Sequence, residues 1–399
     1  MTAARPTVNV AMIGAGFLAE TRARCYAGVT GHDVRIVAVM SRSHDRAREY
    51  AHRHGVPDVY RDFDQVLARP DVHVVDLCVP NHLHQWMTEA AAAAGKHIVC
   101  AKPLTAFDGA GLPEGTDLRT VPRTRMLVEA AAGADAMVAA AERAGVHLMY
   151  AENWAYAPSI TKADRLLAAA GTLILEMRGG ECHSGSHSPY SREWRYAGGG
   201  ALLQLGVHPV GAMLHLKRRE GLRRDGRPIR PSAVVADVGD LTHTRGFQAQ
   251  QKRWVGEGWV DVESWGALII TFDDGSRGIV WASEAVLGGM ESALEIFGSN
   301  THLICRMEHT GLVQAFAPDP TIFQTEYLME KLETKAGWSA PAPDEDWAQG
   351  HRHAVQDFVE CVATGRAPLA DGRLGRDVIE TVYAGYVSAS EGRRVALRQ

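Results

Sequence analysis

Residues 8–27 read VNVAMIGAGFLAETRARCYA, and the fold predicted for the rest of the chain depends on this stretch. Six residues suited to a buried strand run directly into Gly14-Ala15-Gly16-Phe17-Leu18-Ala19, and the residues that follow favour a helix. A strand, a tight glycine turn and a helix follow one another in this order in a dinucleotide-binding unit. We expect Gly14 to permit the turn and Gly16 to let the backbone approach a pyrophosphate, with Phe17 and Leu18 beside it at the helix N-terminus. The loop alone is equally compatible with an ordinary tight turn.

Strands and helices continue to alternate as far as residue 150. Strands are predicted at 34–39, near 59, within 71–79, at 97–100 and at 146–150, with helices between them. This alternation predicts a doubly wound parallel sheet of the Rossmann type, with its ligand at the carboxyl ends of the strands. Residues 106–124, rich in glycine and proline, form an irregular insertion. Such a connection is typical of a lid or subunit contact, or of a disordered segment.

The pattern changes after residue 151. Strands are predicted at 173–181, 234–242, 262–272, 276–286, 294–297 and 302–307, and helices at 159–170, 201–216, 346–363 and 374–390. The basic stretch 217–230 contains proline and suggests a surface loop. We therefore predict a Rossmann domain over residues 1–150 and an α+β domain over residues 151–399, built on a large, open and mostly antiparallel sheet.

Composition restricts the classes of function. The chain has 399 residues, 46% of them hydrophobic, and a formal net charge of -5 from 42 basic and 47 acidic residues. No long run of one charge suggests a nucleic-acid binder, and no apolar run reaches the length of a membrane span. The six cysteines lie far apart, which fits reduced thiols, and the N-terminus leaves no room for a signal peptide. We expect a cytoplasmic protein whose partner is a small molecule.

The end of the second strand carries no acid. An NAD enzyme usually places Asp or Glu there to hold the ribose 2′-hydroxyl, whereas this chain reads Met40-Ser41-Arg42-Ser43. Ser41 and Arg42 suit a 2′-phosphate, which favours NADP or the use of either cofactor. Alternatively, Arg42 stacks on the adenine or points into solvent.

Two stretches carry residues suited to proton transfer. Lys102-Pro103 ends the fifth strand, where a lysine can donate to a substrate hydroxyl, although a surface lysine would occupy the same position. In residues 198–209, GGGALLQLGVHP, Gln204 and His208 share a face if the segment is helical. A neutral imidazole at His208 can take a hydroxyl proton, but a lone histidine on an apolar helix is more often a core residue.

The segment that follows residue 180 is rich in histidine and serine. Cys182, His183 and His187 lack a regular ligand spacing, so we predict no metal site. Tyr190, Trp194 and Arg195 are better suited to holding a polar ring by stacking and hydrogen bonds.

Six motifs, in their order and spacing, resemble those of the glucose-fructose oxidoreductase/inositol dehydrogenase/rhizopine catabolism (Gfo/Idh/MocA) family of oxidoreductases over essentially the whole chain. They are the glycine loop, Val79-Pro80-Asn81-His82-Leu83-His84, Ala101-Lys102-Pro103-Leu104, Ala151-Glu152-Asn153-Trp154, Gly198-Gly199-Gly200-Ala201-Leu202 and Leu205-Gly206-Val207-His208-Pro209.

The resemblance implies a role for each matching residue. Lys102 would be the lysine of the family's Glu-Lys-Pro motif, which holds cofactor and substrate, and His208 the catalytic histidine. The cofactor site would also include Pro80, Asn81, His84 and Asn153, and the substrate site Tyr156, His183, Trp194, Arg195 and Gln204. Since the open sheet commonly makes subunit contacts in the family, we expect a homodimer or homotetramer.

This chain departs from the family pattern at two positions. The glutamate of the Glu-Lys-Pro motif is Ala101, and the acid four residues before the histidine is Gln204. Losing that carboxylate removes an acceptor that could hold His208 and stabilise its charged form.

The implied activity is hydride transfer between NAD or NADP and a secondary hydroxyl of a pyranose sugar or glycoside. The segment 181–190, ECHSGSHSPY, is similar to that of family members that act on sugars and glycosides, some of which oxidise a ring hydroxyl to a ketone. C3 is the expected position. Two alternatives stay open. One is a glycoside hydrolase that works by transient C3 oxidation, elimination and water addition. The other is a non-enzymatic sensor that binds the cofactor.

Overall fold

The structure is a computed structural model that describes residues 7–113, 115–186, 188–256, 258–308 and 311–398. The first part of the chain forms a six-stranded sheet in the order β3-β2-β1-β4-β5-β6. Its strands are β1 Thr7–Ile13, β2 Asp33–Met40, β3 Asp58–Tyr60, β4 Val74–Leu77, β5 His97–Cys100 and β6 Leu148–Tyr150. Its helices are α1 Phe17–Ala27, α2 His44–His54, α3 Phe63–Leu67, α4 His84–Ala93 and α5 Arg123–Ala144.

All neighbouring strands of this sheet run parallel, which confirms the predicted Rossmann topology. The central strands are apolar because helices cover both faces, and Val10, Met12 and Ile13 of β1 are completely buried. The strand order reverses between β1 and β4. The loops that follow these two strands therefore flank the crevice in which a doubly wound sheet binds its ligand.

The second part forms a seven-stranded sheet in the order β12-β11-β7-β10-β9-β8-β15. Its strands are β7 Ile174–Cys182, β8 Pro231–Gly239, β9 Trp265–Phe272, β10 Arg277–Ser283, β11 Glu291–Gly298, β12 His302–Arg306 and β15 Val395–Ala396, while β13 Ala315–Ala317 and β14 Gly337–Ser339 form a separate ribbon. The helices are α6 Pro158–Ala170, α7 Trp194–Ala197, α8 Ala201–Gln204, α9 Val207–Asp225, α10 Arg245–Gln248, α11 Glu345–Ala348, α12 His351–Thr364 and α13 Gly372–Glu391. Only β7 and β10 pair in parallel, so the expected mostly antiparallel sheet is confirmed.

One face of the seven-stranded sheet packs against helices, and its other face is open. In β9, Leu268 and Ile270 are completely buried, whereas Ile269 between them is 45% exposed. This alternation is the burial pattern of a sheet covered on one side.

Two predictions in this part of the chain are wrong. Residues 217–225 are not a surface loop, because α9 continues to Asp225 and the Lys217 ammonium is buried between Glu220 Oε2 at 2.5 Å and Asp274 Oδ2 at 2.9 Å, and only residues 226–230 are irregular. The predicted helix over 201–216 is interrupted after Gln204, and α9 begins at Val207. Gln204 and His208 therefore lie on two helices and not on one helix face.

The C-terminal helices contact both sheets. β6 ends at Tyr150, but α12 packs against α1 and β1, and α13 packs against α5 and β8. The division into two domains at residue 150 therefore stays a prediction. None of the helices in the described ranges is long and apolar enough to cross a membrane.

The insertion is anchored to helices of the second part of the chain at Phe107, whereas others of its described residues, among them Ala110 and Gly111, are exposed. Phe107 N donates to Tyr383 Oη at 2.8 Å, and Phe107 O accepts from Trp194 Nε1 at 3.2 Å. Leu118 is also buried, against Gly109. These contacts favour a fixed connection between the two parts of the chain over a disordered segment.

Candidate active site

The glycine loop lies between the ends of β2 and β4. Gly14 has a φ of +114°, and a Cβ atom there would lie 2.2 Å from the carbonyl oxygen of Cys78, so no larger residue fits. Gly14 N donates to Met40 O at 2.7 Å. A Cβ atom at Gly16 would meet no described atom within 4 Å. The space before the N-terminus of α1 is thus open, and it suits a pyrophosphate held by backbone amides.

The other residues predicted for the nucleotide follow neighbouring strands of the same sheet. Phe17 is exposed and Leu18 half-buried in the first turn of α1, while Ser41 is half-buried and Arg42 exposed after β2. Pro80 precedes a short 3-10 turn after β4. Because the carboxyl ends of parallel strands meet at one edge, these residues surround the expected cofactor crevice.

Asn81 and His84 connect backbone segments around the crevice. Asn81 Nδ2 donates to Ala197 O, which precedes the triple glycine. The buried His84 ring lies 2.9 Å from Val79 O through Nε2 and 3.0 Å from Pro103 O through Nδ1. It therefore ties the end of β4 to the Lys102-Pro103 segment. Their predicted contacts with the cofactor stay a prediction.

The structure brings Lys102 next to the turn before His208. The Lys102-Pro103 peptide bond is cis, and the half-buried Lys102 Nζ donates to Gln204 O at 2.5 Å. This bond joins the segment after β5 to the end of α8. It supports the expectation that the lysine and the histidine act together, although they are more than a hundred residues apart.

A buried glutamate holds the triple-glycine turn in place. Glu263 Oε2 accepts from Gly200 N and Oε1 accepts from Leu202 N, both at 2.9 Å, while Tyr386 Oη donates to Oε1 at 2.7 Å. A Cβ atom at Gly200 would lie 1.9 Å from Glu263 O. Glycine is therefore required by close packing, and the turn sets the direction in which α8 and α9 approach the crevice.

The partner of His208 is Glu152, a residue to which the sequence analysis assigned no role. His208 Nδ1 lies 2.7 Å from Glu152 Oε1, and the imidazole stacks on Trp154 with ring centroids 5.9 Å apart. A Cβ atom at Gly211, one turn along α9, would lie 2.7 Å from Glu152 Cγ, so that glycine makes room for the acid. The carboxyl partner of His208 is therefore supplied by the segment after β6, and not by the position of Gln204.

Burial disfavours the charged form of both partners. It raises the pKa of Glu152 to about 8, although a hydrogen bond from Trp154 N and the Lys102 ammonium act to lower it. Burial also lowers the pKa of His208 to about 3, and the Glu181 carboxylate opposes this change. Burial therefore favours the neutral form of both groups, in which the Glu152 O–H donates to His208 Nδ1.

Two further buried carboxyl groups lie at the carboxyl ends of β7 and β10. Glu181 Oε2, at the end of β7, is 3.8 Å from His208 Nε2. Burial raises the pKa of Glu284 to about 7, and its Oε2 accepts from Trp259 Nε1 at 2.7 Å. Sequence reasoning overlooked Glu152 and Glu181, but both follow or end a strand, as Lys102 does. An acid at a strand's carboxyl end was the signal that could have identified them.

Several side chains predicted to bind ligands are engaged elsewhere. Tyr156 Oη donates to Asp357 Oδ2 and accepts from Ala370 N, both at 2.9 Å. Asn153 Nδ2 donates to Gln349 O at 2.9 Å. Trp194 is buried, with its indole nitrogen bonded to the insertion. The structure therefore does not bring these polar groups to His208.

Of the remaining predicted substrate residues, Gln204 contacts the triple-glycine turn. Gln204 Nε2 donates to Ser191 O at 2.8 Å and to Gly199 O at 3.0 Å. His183 is buried directly after β7, where its Nδ1 accepts from Gly185 N at 3.0 Å. Arg195 is half-buried in α7. No group of three metal-binding side chains occurs among the described residues, and His187 lies outside them.

Two family models match the chain. Residues 8–114 match an oxidoreductase family with an NAD-binding Rossmann fold, and residues 174–304 match the GFO/IDH/MocA C-terminal domain. Levoglucosan dehydrogenase of Pseudarthrobacter phenanthrenivorans is 28% identical, over 92% of this chain and 92% of its own. D-Apiose dehydrogenase of Paraburkholderia graminis is 25% identical, over 97% of this chain and 89% of its own. Among solved structures, that of GenD2 from gentamicin A biosynthesis in complex with NAD has a TM-score of 0.77 and 25% identity, with both chains fully covered.

Proposed function

Because the chain belongs to the Gfo/Idh/MocA family of oxidoreductases, we propose that it is an NAD(P)-dependent dehydrogenase of a pyranose sugar or glycoside, oxidising the C3 hydroxyl. The observation that carries the proposal is the Glu152–His208 pair at 2.7 Å beside Lys102, next to a glycine loop that suits a dinucleotide. The named activities of the two sugar dehydrogenases support a sugar as substrate.

Each residue of the site has a defined task in this reaction. Bound NAD or NADP supplies the group that accepts the hydride. Lys102 donates a hydrogen bond to the reacting oxygen and stabilises the negative charge that develops there. His208 Nε2 takes the hydroxyl proton as a general base, while Trp154 and Glu152 hold the imidazole in position.

Glu152 controls whether His208 can act as a base. When the carboxyl group is protonated and donates to Nδ1, the imidazole hydrogen lies on Nε2. As Nε2 gives this proton to the oxygen of a ketone that is being reduced, Nδ1 takes the proton of Glu152, and the carboxylate is left ionised. When Glu152 is ionised, Nδ1–H donates to it, and Nε2 presents its lone pair to a hydroxyl. One buried pair thus serves either direction of the reaction.

We also propose that the protein is cytoplasmic and forms a homodimer or homotetramer. All six cysteines are free, five of them buried and Cys78 half-buried, as expected in a reducing compartment. The open face of the seven-stranded sheet exposes aliphatic side chains, among them Ile269 and Ile304. The substrate is a small molecule, and neither nucleic acid nor a membrane is proposed as a partner.

The test is a screen of sugars and glycosides, including levoglucosan and D-apiose, with NAD and with NADP. We expect formation of reduced nicotinamide in proportion to the sugar consumed, and chemical analysis of the product should locate the new ketone at C3. A ketone at another carbon would refute oxidation at C3 but not the proposed dehydrogenase activity. No turnover of any sugar would contradict the enzymatic proposal and favour the sensor.

A glycoside hydrolase is the second candidate. Elimination and water addition need additional acid and base groups, and Glu181 and Glu284 are buried carboxyl groups whose pKa is raised beside Lys102. Release of the aglycone from a glycoside without net formation of reduced nicotinamide would favour this reaction over simple oxidation.

A further inference from the structure

The base nitrogen of His208 faces a second carboxylate across a gap. His208 Nε2 and Glu181 Oε2 are 3.8 Å apart, which is too far for a hydrogen bond. Glu181 Oε2 is buried and has no hydrogen-bond partner among the described residues. Since an unpaired buried polar atom is costly, this carboxylate needs a donor that the described chain does not supply.

The fold holds Glu181 firmly at this position. Glu181 pairs with Ala282 of β10 and Ser292 of β11, inside the seven-stranded sheet, and its side chain is on the face that carries α9. Burial raises its pKa, although His208 and Lys102 act to lower it. Glu181 is therefore a carboxyl group held rigidly beside His208, which would contact the reacting hydroxyl.

The gap matches two neighbouring hydroxyl groups of a sugar ring. The oxygens of a gauche vicinal diol are separated by about the length of a hydrogen bond. A sugar ring can therefore place one oxygen within hydrogen-bonding distance of His208 Nε2 and the adjacent oxygen within the same distance of Glu181 Oε2. Building on the proposed function, we infer that Glu181 binds the hydroxyl next to the one that is oxidised, so that the enzyme requires a vicinal diol.

The test compares methyl β-D-glucopyranoside with its 2-deoxy and 4-deoxy analogues. For oxidation at C3, one of these analogues lacks the hydroxyl that Glu181 binds. We expect its kcat/KM with the wild type to be about 10- to 100-fold below that of the parent sugar, because the carboxylate is left unpaired. In Glu181→Ala the parent and this analogue should react at nearly the same rate.

Glu176→Ala is the matched control. Glu176 lies on the same strand but is paired with the exposed Arg178 at 2.6 Å, so its loss should leave the discrimination unchanged. If Glu181→Ala does not fold by circular dichroism, Glu181→Gln replaces it, and the discrimination should shrink in part. Full discrimination in the folded Glu181 variant would overturn the inference.

A binding measurement separates this inference from the proposed function. If the wild type oxidises no sugar, the proposed function fails, and binding of the same three sugars is followed by the fluorescence of the NADH complex. Weaker binding of one deoxy analogue by the wild type, but not by Glu181→Ala, would support the diol contact. Equal binding of all three sugars by both proteins, or no binding, would contradict it.

Discussion

His208 is the residue on which the proposed chemistry depends most. His208→Asn should lower kcat by about 10²-fold or more, because proton abstraction loses its base, while binding of the cofactor is kept. Steady-state kinetics and a titration with NADH measure the two effects. His215→Asn, which removes another buried histidine from the same helix, should leave kcat nearly unchanged. Near-normal turnover by His208→Asn would refute the mechanism.

The pH dependence of kcat/KM should be set by Glu152. Its pKa is raised from 4.5 to about 8, so below this pH the carboxyl group keeps its proton and His208 Nε2 carries a hydrogen. The kcat/KM for oxidation should therefore rise with pH through about 8, and that for ketone reduction should fall. Glu181 and Lys102 also face the pair and shift the midpoint. The change of kcat/KM with pH should disappear in Glu152→Gln. It should persist in Glu142→Gln, which replaces an exposed glutamate. A profile unchanged by Glu152→Gln would be inconsistent with the proposed pair.

Replacing Arg42 tests whether the protein recognises the 2′-phosphate that distinguishes NADP from NAD. NADP should bind at least as well as NAD, since no acid follows β2, and Arg42→Ala should weaken NADP selectively. Titration of both cofactors by fluorescence measures this, with Arg48→Ala, an exposed arginine of the adjoining helix, as the control. An equal loss for both cofactors would remove the argument for 2′-phosphate recognition.

At the scale of elements, the triple-glycine turn links packing to catalysis. Gly200→Ala should destabilise the protein by about 1–3 kcal/mol, because the new Cβ overlaps the Glu263 backbone. It should also lower kcat, because α8 and α9 shift with the turn. Urea unfolding and kinetics measure the two effects. Gly246→Ala, in a helix where a Cβ meets no described atom within 4 Å, should be neutral or slightly stabilising. If Gly200→Ala kept the wild-type stability and kcat, the turn would tolerate the added Cβ atom, and the proposed link between its packing and catalysis would be wrong.

At the scale of the whole molecule, the open sheet face is the expected subunit contact. Val235 and Ile279 are the partners of Ile269 on the neighbouring strands β8 and β10, which gives an aliphatic row across three strands. Ile269→Asp should dissociate the oligomer, because a carboxylate would be buried without a partner. Size-exclusion chromatography with light scattering measures the mass. Leu166→Asp, at an exposed position of α6, should not change it. A wild-type monomer would contradict the assembly.

The sequence alone was sufficient to predict the features of the structure that depend on residues close together in the chain. The glycine loop and the end of the fifth strand before Lys102 were both predicted, because glycine, proline and hydrophobic periodicity act over a few residues. Both sheets follow from this local information. The same reasoning placed Gln204 and His208 on one helix, and it could not detect the break after Gln204.

The tertiary structure alone decided which side chains meet. Glu152 is 56 residues from His208 in sequence, and Glu181 reaches the same imidazole from another strand. Lys217 is buried in a basic stretch because acids from its own helix and from the turn after β9 surround it. The sequence by itself determined the elements and the positions of Lys102 and His208, whereas the carboxylates around His208 depend on packing between distant elements. Contacts between such distant residues leave no periodic pattern in the sequence, because the residues meet only once both sheets have formed.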